Sequence, residues 1–325
     1  MGHAVTIATG SDTARWANVR KAPALTPVWL RHTLVPDTSG WQRRRQHQAR
    51  YRTGDEDTHS PATAVLGQPI ARDAPIDSGI VGMVTQTHWP VVELRQYTLR
   101  PGSRDALIDL FDREFVETQE AVGIRVIAQF RDEDDPDRFV WIRAFRDMTA
   151  RTASLTAFYI DGAAWQTHAA AARATMVDTT NALLLHPATP TSGFSLSADR
   201  PGVEATVLPQ SRVLATIYHP DIPTGEFAEF FDSRVRPVLE DTGAALIGSF
   251  VTEPALNTFA MLPIRTETVF VSFALFENAG RLDEHLDVLA RSPVWAEQVQ
   301  PALSKRLSEP VQQLRLAPTA RSLLR

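Results

Sequence analysis

Residues 91–115, VVELRQYTLRPGSRDALIDLFDREF, return about 120 residues later as RVLATIYHPDIPTGEFAEFFDSRV at 212–235. In the first stretch Val91–Arg100 alternates as a strand does: Val92 and Leu94 share one face, and Glu93, Arg95 and Tyr97 the other. Pro101-Gly102-Ser103 breaks the strand and offers Ser103 as an N-cap. Leu107, Leu110, Phe111 and Phe115 then line one face of a helix that stops at Gly123. The second stretch keeps the order. Tyr218 stands 121 residues after Tyr97, and Phe227, Phe230, Phe231 and Val235 follow their counterparts by 120. Gly243 repeats Gly123.

Working outward, the likeness continues. Ile124–Phe130 reads as a second strand, Asp132–Asp137 as an acidic turn and Phe139–Phe145 (FVWIRAF) as a third strand. A helical region covers about Ala150–Thr180, and Ala182–His186 closes the unit as a short apolar strand. Phe270–Phe276 (FVSFALF) repeats Phe139–Phe145 at an offset of 131, so the second copy holds eleven extra residues between its second and third strands. Trp295 in SPVW repeats Trp165 in GAAW at 130. Each copy therefore reads β-α-β-β-α-β, the ferredoxin-like order. Such a sheet covers one face with helices and leaves the other bare, and two copies can close sheet on sheet. The expected fold is α+β: two fused repeats, at 88–187 and 211–318, forming an α+β barrel with the helices outside. The Pro-, Ser-, Gly- and Thr-rich stretch 188–210 reads as a linker.

The chain has 325 residues, 43% hydrophobic and 22% charged, the balance of a soluble globular protein. No run approaches the roughly 20 apolar residues of a membrane span, and cytoplasmic residence is expected. Without cysteine there is no disulfide, thiolate nucleophile or sulfur-based metal site. A net charge of −5 argues against nucleic acid as a partner. Residues 1–82 are net +3 and the rest net −8. Residues 1–85 show no sustained period, and the run Gly40–Ala62 cannot bury a face, so a disordered extension is expected. Three readings stand for it: a dispensable segment upstream of a start at Met83, a basic targeting peptide, or a regulatory or partner-binding tail.

The segments VELRQYTLRPG (92–102), DPDRFVWIRAF (135–145) and FYIDGAAWQTHAAAARATMVDTTNALLLHP (158–187) resemble the NIPSNAP family, of the dimeric α+β-barrel superfamily. In the second copy the similar piece is Asn257–Arg265, NTFAMLPIR. The resemblance covers about 230 residues and leaves out the first 85. It implies the barrel fold but brings no established reaction and no catalytic residues. The superfamily includes monooxygenases, isomerases, haem proteins and proteins of no known activity, so fold does not decide function. One departure is local: four alanines, Ala169–Ala172, stand where a basic helix is expected.

The candidate chemistry lies on the first copy's strands. With Val92, Leu94, Val140, Ile142 and Ala144 turned toward the helices, Glu93, Arg95, Tyr97, Trp141 and Arg143 would share the barrel interior. The second copy has Leu214, Thr216, Tyr218, Ser272 and Ala274 there, so only the tyrosine survives. One polar and one apolar half suggest a pocket for a small anionic or carbonyl-bearing molecule. Arg95 or Arg143 would hold the anion, Tyr97 would donate a hydrogen bond and Glu93 could act as a base. Set against this is a Glu–Arg network that satisfies only itself or rims the barrel mouth. His168, His186 and His219 fit no ligand set, so neither a metal nor a cofactor is expected. Neither Gly-x-Gly-x-x-Gly nor a phosphate-binding loop is present, and Trp165, Trp295, Phe230 and Phe231 read as core. Two functions follow: binding or cofactor-free transformation of a small molecule inside the barrel, or a non-enzymatic scaffold whose outer helices contact a protein. Homo-oligomerisation stays open.

Overall fold

The alternation of Val91–Leu99 is a strand, β1, and its pairings set the architecture. The computed structural model describes residues 89–196 and 199–325. The expectations placed on residues 1–85, and the start at Met83, lie outside the described residues. After β1 comes a helix in three parts: α1 (Arg104–Leu110), a π-helical turn (Phe111–Phe115) and α2 (Val116–Ala121). Then follow β2 (Arg125–Asp132), β3 (Arg138–Phe145), α3 (Met148–Tyr159), α4 (Ala163–Thr175), the short β4 (Met176–Asp178) and β5 (Ala182–Pro187). The second copy runs β6 (Arg212–Tyr218), α5 (Thr224–Phe230), a π-helical turn (Phe231–Val235), α6 (Arg236–Asp241), β7 (Ala245–Thr252) and β8 (Phe270–Phe276). It ends with α7 (Ala279–Arg291), a π-helical turn (Trp295–Val299), α8 (Gln300–Ser304) and β9 (Gln312–Pro318). No helix among the described residues is long and apolar enough to cross a membrane.

Local chemistry marks the same points in both copies. Asp147 Oδ1 accepts from the Ala150 amide at 2.7 Å, and Asn278 Oδ1 accepts from Arg281 at 3.0 Å, capping α3 and α7 at an offset of 131. Ser103 stands at the N-cap of α1 as expected, but its hydroxyl makes no capping bond. Gly123 and Gly243 take φ values of 88° and 103°, the left-handed turn out of a helix that favours glycine. The helical region expected over Ala150–Thr180 divides at Gly162 into α3 and α4, and its last residues become β4. Among the described residues β4 pairs only with the end of β1, where Leu99 faces Met176.

Each repeat keeps the ferredoxin-like strand order, β5-β1-β3-β2 and β9-β6-β8-β7. Two seams close the ring: β5 pairs with β7 and β9 with β2, giving an eight-stranded antiparallel barrel. Closure pairs both edge strands of each four-stranded repeat, which a single repeat would expose. The barrel interior is one apolar core that takes Val92, Leu94, Val140 and Ile142 from the first repeat and Val213, Ile217, Phe250 and Phe273 from the second. Two separate layers lie between each half-barrel and its own helices.

This arrangement corrects the expected orientation. Val92, Leu94, Val140, Ile142 and Ala144 line the barrel interior. Tyr97 and Trp141 pack in the layer under the first repeat's helices, with Phe111, Phe115 and Phe158. Glu93 and Arg143 lie on the same side, since both bond to groups of those helices. Alternation pairs residues on a face correctly but does not say which face looks inward. The closed interior is filled by apolar side chains, whereas the helix layer offers charged and hydrogen-bonding partners, so the charges belong there.

The segments after β5 and β9 close the barrel in parallel ways. Both β2 and β7 carry a bulge, between Val126 and Ala128 and between Leu246 and Gly248. The Ser249 amide donates to Ser192 O, and the Leu323 amide donates to Ile127 O, so each segment lies along one bulge. Phe194, within the stretch expected as a linker, and Leu324, beyond the expected end of the repeat, both enter the interior core.

Candidate functional site

Strand register sets Glu93 opposite Arg143 and Arg95 opposite Trp141 on β1 and β3, so all four side chains share the helix-facing side. Arg151 joins them from α3, one turn beyond the Asp147 cap. Glu93, Arg95, Arg143 and Arg151 are each 0% exposed. One carboxylate serves all three guanidiniums. Arg151 Nε lies 2.6 Å from Oε1, while Arg95 Nη1 and Arg143 Nε both lie 2.9 Å from Oε2. Arg95 also donates to Tyr97 Oη at 3.1 Å, and Arg143 donates to Tyr159 Oη at 3.2 Å. Aromatic faces flank the cations: the Arg143 guanidinium is 5.0 Å from the Trp141 ring and 5.6 Å from the Phe145 and Tyr159 rings.

Burial alone would raise the Glu93 pKa, but Arg143, Arg95 and Arg151 outweigh it and hold the carboxyl well below the usual carboxylate range. A carboxylate held so acidic is a poor proton acceptor at neutral pH, which removes Glu93 as a general base. The cluster keeps two positive charges in excess, because arginine stays protonated in proteins. It also holds donors without acceptors. Trp141 Nε1 and Arg151 Nη2 are buried with no hydrogen-bond partner among the described residues. Tyr97 and Tyr159 each accept from an arginine, which leaves their own hydroxyl protons to donate.

The second repeat solves the same packing problem without charge. By the repeat offsets, Leu214, Thr216, Ala274 and Leu282 replace Glu93, Arg95, Arg143 and Arg151. Leu214, Ala274 and Leu282 join an apolar layer there. The shared tyrosine, Tyr218, is pushed up to about 12 by burial, which the Ser272 and Thr216 hydroxyls only partly offset.

The structure thus brings together all five expected residues, Glu93, Arg95, Tyr97, Trp141 and Arg143, in the sheet–helix layer rather than inside the barrel. Sequence reasoning missed Arg151, Tyr159 and Asn257, whose Oδ1 accepts from Arg151 Nη1 at 3.1 Å. Arg151 carried a readable signal, since it lies on the helix face marked by Leu155 and Phe158 and aligns with Leu282. The histidines stand elsewhere: His168 lies 3.4 Å from Glu114 and His186 3.4 Å from Glu253, both on partly exposed side chains.

Fold and site together define a two-repeat α+β barrel with a buried cationic layer in one repeat. The NIPSNAP family model matches residues 92–191, so the first repeat is a NIPSNAP domain. The match ends before β6, whereas the resemblance read in the sequence extended into the second repeat. No curated protein matches the chain. Among solved structures, a NIPSNAP family protein from Agrobacterium tumefaciens str. C58 is 21% identical over 35% of this chain and 99% of its own, with a TM-score of 0.29. An uncharacterized NIPSNAP-like domain protein from Burkholderia xenovorans is 23% identical over 34% and 87%, with a TM-score of 0.28. An anthrone oxidase-like protein is 11% identical over 71% and 91%, with a TM-score of 0.45.

Proposed function

We propose that the layer between the first repeat's sheet and its helices binds a small anionic or carbonyl-bearing molecule. The observation that carries this reading is three fully buried guanidiniums sharing one carboxylate. Buried charge is costly unless paired, and a second copy of the same backbone does without it. An anion would balance the excess charge and accept from Arg151 Nη2, Trp141 Nε1 and the two phenols. A carbonyl oxygen would use the same donors. Because Glu93 is held as a locked counter-ion, the activity proposed is binding; any chemical change would rely on the ligand's own reactivity. The reading places the ligand beside the barrel, since apolar side chains of both repeats fill the interior.

Titration calorimetry of the full chain with acetate, benzoate and inorganic phosphate tests this reading. Wild type binds at least one of them, and Arg151→Leu, which copies the second repeat, loses that binding while staying folded. Equal affinity in wild type and Arg151→Leu would place any binding elsewhere.

A further inference from the structure

The eleven extra residues between β7 and β8 do not stay with their own repeat. The segment from Glu253 to Thr268 crosses to the first repeat, where the Glu253 amide donates to Leu184 O at 2.9 Å and the Arg265 amide to Ala182 O at 2.8 Å. Two of its side chains enter the charged layer. Asn257 presents its amide oxygen to Arg151 Nη1, as described above. Phe259 is 7% exposed and sets its ring 6.2 Å from that of Tyr159, inside the first repeat's layer rather than the second's. The Phe259 amide donates to Asn257 Oδ1 at 3.1 Å, which holds the oxygen and the ring as one unit. Leu256 and Met261 on the same segment are 85% and 63% exposed, while Leu262 and Ile264 pack at the edge of the first repeat's layer. The β2–β3 turn of the first repeat is too short to do the same for the second.

An sp² oxygen on a guanidinium beside a phenyl ring on a tyrosine is the outline of an aryl carboxylate. We propose that Asn257 and Phe259 form an internal plug occupying the ligand's place, and that the ligand is an aromatic carboxylate. This inference rests on the binding reading above. The ligand's ring takes the position of Phe259. Its carboxylate replaces Asn257 Oδ1 on Arg151, where a second oxygen also reaches the unpartnered Nη2 in the fork geometry that arginine offers. The loop lifts away as the ligand enters. The second repeat thereby controls access to a site on the first.

Titration calorimetry of the full chain with benzoate and acetate, on variants checked for folding by melting, decides the matter. Benzoate binds wild type about tenfold more tightly than acetate, the difference a buried ring brings. Asn257→Ala removes the internal competitor and tightens benzoate about five- to tenfold. Asn257→Asp tethers a carboxylate to Arg151 and weakens benzoate by at least about tenfold. Phe259→Ala loosens the plug and tightens both benzoate and acetate, since either carboxylate must displace Asn257 and Phe259 together. A loop with only a structural role would weaken binding in all three variants, and that result overturns the plug. Binding by wild type that no Asn257 variant alters refutes the plug alone. Absence of binding to both wild type and Asn257→Ala refutes the plug together with the anion site.

Discussion

Replacing Glu93 with leucine, the residue at the equivalent place in the second repeat, gives the most demanding test of the charged layer. Arg95, Arg143 and Arg151 would remain at 0% exposure with no carboxylate among them. Removing one partner of a buried ion pair costs about 3–5 kcal/mol. Here one deletion breaks contacts of 2.9, 2.8 and 2.6 Å, so the upper end, about 5 kcal/mol, is the expected loss. That is a third or more of the 5–15 kcal/mol (roughly) that holds an ordinary domain together. The fourfold variant Glu93→Leu, Arg95→Thr, Arg143→Ala and Arg151→Leu leaves no orphaned charge. It should return to within about 2 kcal/mol of wild type, the remainder reflecting unfilled volume. Urea unfolding of the full chain, followed by tryptophan fluorescence, reads both. A Glu93→Leu loss below about 1 kcal/mol would mean the guanidiniums reach water, and the argument from buried charge would fail. A fourfold variant no more stable than Glu93→Leu would make the cluster a packing requirement instead of a site.

Acid should act through the same carboxylate. The folded pKa of Glu93 is lowered, so its contribution is complete above the unfolded value of about 4.3 and drains away as pH falls further. Asp112 works the other way. Burial pushes it up to about 6, so its contribution is complete below about pH 4 and is lost as pH rises to 6. Asp112→Asn should therefore unfold at higher urea than wild type at pH 7.5 but not at pH 4; equal midpoints at pH 7.5 would contradict this. Gly248→Ala would set a Cβ 2.8 Å from the Phe250 ring and 3.1 Å from the Phe194 ring, costing about 1–3 kcal/mol in urea unfolding. Gly225→Ala, in open space on α5, is the control and should cost nothing. Residues 89–190 expressed alone would bare the interior face and the free edges of β2 and β5, so sedimentation should show self-association. A well-behaved monomer would contradict the closure described.

The repeat was legible because its signals are local. The strand alternation, the apolar face of Leu107, Phe111 and Phe115, and the turn glycines Gly123 and Gly243 each need only a few neighbouring residues. Which strand face turns inward was not legible from the first repeat, where Val92 and Leu94 oppose Glu93 and Arg95 and either side could pack on helices. The second repeat held the clue: Val213, Ala215 and Ile217 are as apolar as Leu214 on the other face, as expected of a sheet buried on both sides. Glu93, Arg95, Tyr97, Trp141 and Arg143 could be grouped from the sequence because strand register puts them on one face. Spacing to Leu155 and Phe158 puts Arg151 on the buried face of its helix, but neither its bond to Glu93 nor that to Asn257 was legible, since they join residues 58 and 106 positions apart, where periodicity carries no information.

The two seams that close the ring have a consequence for how this protein can vary. Were the halves separate identical subunits, any substitution would appear twice, and a gain in one half would bring the same cost in the other. A single chain removes that duplication. Glu93 and the three arginines needed to arise only once, while Leu214, Thr216, Ala274 and Leu282 keep the other half dry. The long loop likewise exists on one side only and reaches across a boundary that no symmetric pair could make one-directional. Covalent joining lets a charged half and an apolar half share one ring, each free to accumulate changes the other could not tolerate.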